Sequence, residues 1–314
     1  MSGSRRHRRN RPSHAHKTAE TGRRSSAEAS GRRSADATTA VRPPDRRADV
    51  ALRWSARLLV VVSWIGGAIF AAYIVAFFGG VALGGAAGRW NESLPGLFDP
   101  VTPIAVGAIG AHFIAGSVLL LLGPVQLIGA VRRRVPALHR RLGRVYVISA
   151  GLAGLGGLVF IAVRGTVGGT VMDIGFGLYG VLMVLCAWMA FVRARAGRFD
   201  AHRAWAIRLF ALTVGSWLYR MEYGSWFLLT GGVGVGRDFS GAFDMVMAFF
   251  FFVPNLLVAE YFIRVRQGQR GVPATLGASA VLLAASGLVA VVTFLFTRGA
   301  WGQRMASGLL ELTS

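Results

Sequence analysis

The chain has 314 residues, more than half of them hydrophobic, and a formal charge of +21. Runs of about twenty apolar residues recur along it, the length that crosses a hydrocarbon core of roughly 30 Å, and this excludes an ordinary soluble domain. The arginines lie in the N-terminal stretch and in short loops between apolar runs, as membrane topology signals do, which removes the case for a nucleic-acid-binding domain.

Residues 1–53 read as an Arg-, Ser- and Ala-rich tail with almost nothing large and apolar to bury, so it is expected to be disordered. RRHRRNR at 5–11 is read as a solvated anchor holding the N-terminus in the cytoplasm. Lys17 is the only lysine. A GC-rich bacterial codon bias accounts for this, so the preference for arginine carries no recognition argument. The first apolar run begins near Leu58 and is too long for the core of a signal peptide.

From there the pattern predicts an all-α integral membrane protein, a bundle of about seven transmembrane helices. The expected spans are about 57–83, 103–131, 143–163, 171–192, 204–229, 242–264 and 274–297. The tail and the loops 132–144, 193–203 and 264–271 are strongly basic. The intervening loops carry Glu92 and Asp99, then Arg164 and Asp173, then Arg237 with Asp238 and Asp244, and are near neutral. Strict alternation predicts a cytoplasmic N-terminus and an outer C-terminus, in a bacterial plasma membrane. The expected membrane domain is 54–298, followed by a short outer tail, 299–314.

Gly80, Gly84 and Gly88, then Ala150 and Gly154, repeat at helical spacing and are read as packing positions. GGVGVG at 231–236 follows no strand, so it is not read as a phosphate-binding turn. Trp90, Trp226 and Trp301 fall near the outer boundary, Trp54 and Trp205 near the inner one, as interfacial aromatics. The FFFF run at 249–252 is expected to face lipid and neighbouring helices. Cys186 is the only cysteine, so no intrachain disulfide or cysteine-based metal site can form.

Polar residues within the spans point to a site. Gly123-Pro124 is expected to interrupt the second span with Gln126 following, and Pro254 the sixth, with Asn255 and Glu260 following. The basic loops place His139, Arg140 and Arg144 at one helix mouth and His202 at another. Arg208 lies roughly 9 Å inside His202 along the helix axis. It either snorkels to the headgroups or pairs with Glu260, which already has Arg264 one turn away. The expected site in the cytoplasmic half is therefore Gln126, His139, Arg140, Arg144, His202, Arg208, Asn255 and Glu260, opening inward. His112, roughly 13 Å into the second span from the outer side, is a separate candidate in the outer half, with Gly116 leaving a notch one turn along.

HFIAG at 112–116, LGPVQ at 122–126, HRRLGRVY at 139–146, HRAWAIR at 202–208 and PNLLVAE at 254–260 occur in this order. The combination resembles the bacterial predicted membrane proteins of the domain of unknown function 2306 family, over about residues 112–260, within a core of about 103–264. The resemblance implies a multi-pass protein and marks His112, Gln126, His139, Arg144, His202, Arg208, Asn255 and Glu260 as motif positions without giving any a role. The two His-Arg segments also read as one repeated element framing a cavity from two sides.

The function expected is binding or transport of an anionic small molecule or lipid headgroup, with the bilayer and its anionic headgroups as partners. One alternative is a redox protein with a single b-type haem on His139 and His202. The other is a non-catalytic scaffold whose tail recruits partners. No serine or carboxylate dyad and no HExxH spacing is present, so no catalytic constellation is identified and the question of an enzyme is left open, leaning against one; no metal site is expected, and no cofactor beyond the alternative haem.

Overall fold

The computed structural model describes residues 46–264 and 272–313. Expectations placed on residues 1–45 and on most of the 264–271 loop lie outside the described residues. Among the described residues the chain is helical, with no strand.

Helix α1, Arg46–Tyr73, starts ahead of the boundary drawn at residue 53 and runs into a π-helical turn, Ile74–Gly79, and a final α turn, Gly80–Leu83. After a loop come α2 (Pro103–Leu127), a short basic helix (Gly129–Arg134), α3 (Pro136–Arg164) and α4 (Gly169–Arg195). Proline sits in the first turn of α2 and of α3, where its missing N–H costs nothing. Helix α3 stops at Gly165, which takes the left-handed φ of 72° that a side chain would resist. Then follow α5 (Phe199–Thr213), α6 (Gly215–Thr230), α7 (Ala242–Phe250), α8 (Val253–Arg264) and α9 (Val272–Phe296). A second π turn, Thr297–Trp301, leads into α10, Gly302–Leu310, so the stretch expected as an outer tail holds a helix.

Six helical stretches are long and apolar enough to cross a membrane: Arg47–Leu83, Pro103–Leu127, Pro136–Arg164, Gly169–Arg195, Ala242–Arg264 and Thr275–Leu310. The remaining expected span, 204–229, is divided at Val214. Its halves, 15 and 16 residues long, each cover about 22–24 Å, short of a bilayer core. Large apolar side chains such as Ile65, Ile104, Ile114, Ile148 and Val246 lie exposed on several of the long helices, a surface that only lipid would solvate.

The divided pair occupies the middle of the bundle: α5 packs on α2, α4 and α8, and α6 on α9. Leu209, Leu212, Trp217 and Met221 are fully enclosed there. A side chain from a neighbouring helix reaches the backbone at the break: Tyr179 donates its hydroxyl to the carbonyl of Leu212 at 2.9 Å. Thr213 donates to the Phe210 carbonyl at 3.0 Å, which also keeps its helical bond from the Val214 amide. Tyr146 is 2.5 Å from the Thr213 hydroxyl.

The sixth span is also interrupted, at Phe251–Phe252, and Asn255 closes that gap by donating to the Phe251 carbonyl at 2.7 Å. Helix α2, in contrast, runs unbroken through Pro124 to Leu127. The break in the sixth span therefore adjoins that in the fifth, where Gly215 comes up against Phe251, rather than matching one in the second. Of the four phenylalanines, Phe251 and Phe252 are core residues and Phe250 is exposed.

Helix α10 lies flat against the end of α1. A β-carbon on Gly308 would stand 2.2 Å from the Ala76 carbonyl oxygen, so only glycine permits the contact. Arg89 donates to Glu311 at 2.6 Å and Arg304 to the Glu92 carbonyl at 2.7 Å, pinning the segment. Gly80 and Gly84 serve this docking. Trp90 and Trp301 are buried rather than interfacial, because Trp90 donates to the Phe78 carbonyl and Trp301 stacks on Phe296.

Candidate functional site

At the end of the bundle opposite the arginine-rich loops, a cavity of about 630 Å³ opens between α1, α2, α3, α4, α6 and the turn leading to α10. This size suits a small organic ligand. Its walls are largely aromatic, with Tyr73, Phe113, Tyr219, Phe251, Phe296 and Trp301 among them, and no aspartate or glutamate lines it.

Besides Arg164, Arg304 and Trp301, the nitrogen-bearing side chains lining this space are His112 and Arg220, from different helices. His112 on α2 has its Nδ1 2.7 Å from the carbonyl oxygen of Ala153 on α3. A carbonyl only accepts, so Nδ1 carries the proton, and in the neutral ring Nε2 is left as an acceptor. Arg220 on α6 donates one N–H, from Nη1, to the Ser216 carbonyl at 2.7 Å, and its guanidinium lies 4.5 Å from the Phe70 ring centroid. A guanidinium has five N–H donors. Among the described residues Arg220 has no acidic partner. Glu222, two residues on, points elsewhere on the helix and cannot pair with it.

The rim is held by one ion pair and one carboxylate bound by neutral donors. Arg164, at the end of α3, pairs with Asp99 and donates to Thr102 at 3.0 Å. The Val101 amide and the Arg164 guanidinium hold the Asp99 carboxyl below its usual range. Asp244, 1% exposed in the first turn of α7, accepts from Tyr223 at 2.5 Å and from the amides of Gly236 and Gly241 at 2.7 and 3.0 Å. The glycine-rich 231–236 loop thus supplies one amide, that of Gly236, to a carboxylate of its own chain.

A family model described as "Predicted membrane protein (DUF2306)" matches residues 109–263. Over those residues the chain is similar to the domain of unknown function 2306 family. This segment carries His112 and Arg220, whereas Tyr73, Phe296, Trp301 and Arg304 of the same cavity lie outside it. Neither the curated proteins nor the solved structures contain a match.

Of the residues singled out from sequence, His112 lines the cavity and the eight at the basic end do not. Arg208 reaches Glu260 through Nε and Nη2 at 3.0 and 2.7 Å, while Arg264 takes the other carboxylate oxygen at 2.8 Å. Both partners proposed for Glu260 are therefore engaged at once, and its carboxylate is fully committed. Arg208 also stacks over Trp205, 4.8 Å from the ring centroid. Asn255 serves the Phe251 carbonyl, Arg140 and Arg144 are exposed, and Gln126, His139 and His202 gather near the start of α3. Sequence reasoning passed over Arg220 and Glu222, although YRMEY at 219–223 places two charges mid-span, the pattern that marks a site in a membrane helix.

Proposed function

We propose that the chain crosses the plasma membrane seven times, with α5 and α6 together making the fifth crossing and the arginine-rich end cytoplasmic, and that it binds or moves an organic anion with an apolar body. The site is the cavity at Arg220, in the outer half of the bundle rather than the inner. One observation carries the reading: a guanidinium with a single protein acceptor and no acid partner among the described residues lines an aromatic-walled chamber. A lone cation at mid-membrane costs about 2.5–3.5 kcal/mol even on the mildest scale, and an anionic head on the ligand offsets that cost. The aromatic walls favour an apolar body behind the head over an inorganic ion.

The test compares decanoate with decanol by thermal shift on the purified protein. Decanoate is expected to raise the unfolding midpoint by several degrees, decanol to do much less, and Arg220→Met to remove the difference. Equal effects of acid and alcohol, or undiminished decanoate stabilisation in Arg220→Met, would refute the reading.

A further inference from the structure

The basic end holds a second polar group that the Arg220 reading does not use. Two side-chain nitrogens there, Nε2 of Gln126 and Nδ1 of His139, are enclosed and have no partner among the described residues. The fold brings them together. Gln126, near the end of α2, lays its Oε1 against Gly143, 3.5 Å from where a β-carbon would stand. His139 lies one turn earlier on the same face of α3.

His202 on α5 completes the cluster. Its Nδ1 donates to the Ala190 carbonyl on α4 at 2.8 Å, so Nε2 is an acceptor in the neutral ring and donates to an anion as the imidazolium. His202, Arg132 and Arg140 all lie close enough to His139 to act on its charge. Glu260, on α8, is bound by Arg208 and Arg264.

An enclosed amide N–H with no acceptor costs about 1–3 kcal/mol, whereas a methionine of the same length would fill the space without that cost. An unmet amide nitrogen and an unmet ring nitrogen in one cluster, beside a second imidazole and two guanidinium groups, suit an acceptor-rich anion. A carboxylate offers two oxygens. A phosphate offers three or more, enough to serve an amide, two imidazoles and a guanidinium from different helices.

We infer that Gln126, His139 and His202, with Arg140 beside them, bind a phosphate group at the arginine-rich end of the bundle. The group belongs either to a phospholipid of the adjoining leaflet or to a soluble phosphate ester, and both present the same oxygens. This site shares no residue with the Arg220 cavity, so the two readings stand or fall separately.

The experiment uses the full chain in phosphate-free detergent, titrated in one arm with inorganic phosphate and in the other with phosphatidylglycerol, against chloride at matched ionic strength. A saturable rise in unfolding midpoint is expected: with phosphate if the site takes soluble esters, with phosphatidylglycerol alone if it takes a lipid headgroup. In the responding arm Gln126→Met should weaken apparent affinity about tenfold or more. Its midpoint without added phosphate should equal or exceed the parent's, because an unmet donor has been removed. His139→Phe should behave alike, which covers the case in which Gln126→Met folds poorly, and Arg220→Met should leave the response intact. No rise above chloride in either arm, or an undiminished rise in both variants, overturns the inference. A haem band in the dithionite-reduced minus oxidised spectrum, abolished by His139→Ala and by His202→Ala, would also overturn it and assign these imidazoles to haem.

Discussion

Asp244 is the carboxylate on which the far end of the bundle turns, and its removal has a calculable cost. It is 1% exposed and accepts three hydrogen bonds, from Tyr223 and from the amides of Gly236 and Gly241. Asp244→Ala leaves three enclosed donors unmet, at about 1–3 kcal/mol each before the 231–241 loop relaxes and water reaches some of them. A net loss of about 3–5 kcal/mol is expected. Tyr223→Phe removes one donor and leaves the carboxylate with two amides, for about 1–2 kcal/mol. Asp244→Asn keeps one accepting oxygen but turns an N–H₂ toward a donor, and should fall between them. At about 2–4 °C per kcal/mol for a chain of this size, the alanine variant should lose roughly 10 °C in thermal midpoint and the phenylalanine variant about a third of that. Limited proteolysis should show cleavage in the 231–241 loop first. A shift under about 2 °C for Asp244→Ala, or Tyr223→Phe costing as much as the alanine change, would refute this account of the carboxylate.

Gly308→Val forces side-chain atoms into the Ala76 carbonyl and should cost about 1–3 kcal/mol, with red-shifted tryptophan emission as Trp301 is uncovered; an unshifted spectrum with unchanged stability would contradict the docking of α10. In a double-mutant cycle, Arg208→Gln and Glu260→Gln should couple by about 1–2 kcal/mol, because two N–H groups converge on one part-buried oxygen. Arg264→Gln should couple to Glu260→Gln by under about 0.5 kcal/mol, since Arg264 is mostly solvent-exposed, and the reverse order would show that the Arg208 pair adds nothing. Asp99 and Glu92 are both held below their usual carboxylate values of 3.8 and 4.5, by Val101 with Arg164 and by Arg89 respectively. A depressed folded-state value means the stabilisation is complete above the unfolded value and lost as pH falls through the folded one, so the thermal midpoint should decline as the pH drops below about 4. Asp99→Asn should flatten part of that decline, and an unchanged acid profile would remove Asp99 from the rim's support.

The helical architecture was legible because apolar length and loop charge are both written locally. His112 could be picked out as a lone imidazole deep in an apolar run, and the Arg208–Glu260 pairing could be framed from axial depth alone. What escaped was the consequence of a break. The 204–229 run reads as one apolar span, and only folding, which brings Tyr179 of α4 onto the Leu212 carbonyl, reveals that it divides at Val214. Pro124 looked like an equivalent interruption, yet α2 passes through it intact. Asp244 was counted as a loop charge because its ligands, two glycine amides and a tyrosine, are set by folding of the loop onto α7. Arg220 was the avoidable omission, since its charge is visible without any structure.

Because the family segment ends before α9 and begins after α1, the Arg220 chamber is assembled from unlike halves. The matched portion brings the guanidinium and the imidazole, while the flanking helices bring Tyr73, Phe296 and Trp301. A polypeptide trimmed to the matched portion would offer those two groups in an open furrow along the lipid. For the organic anion proposed above, exchanging the flanking helices should change which apolar bodies fit while leaving the pairing with Arg220 in place.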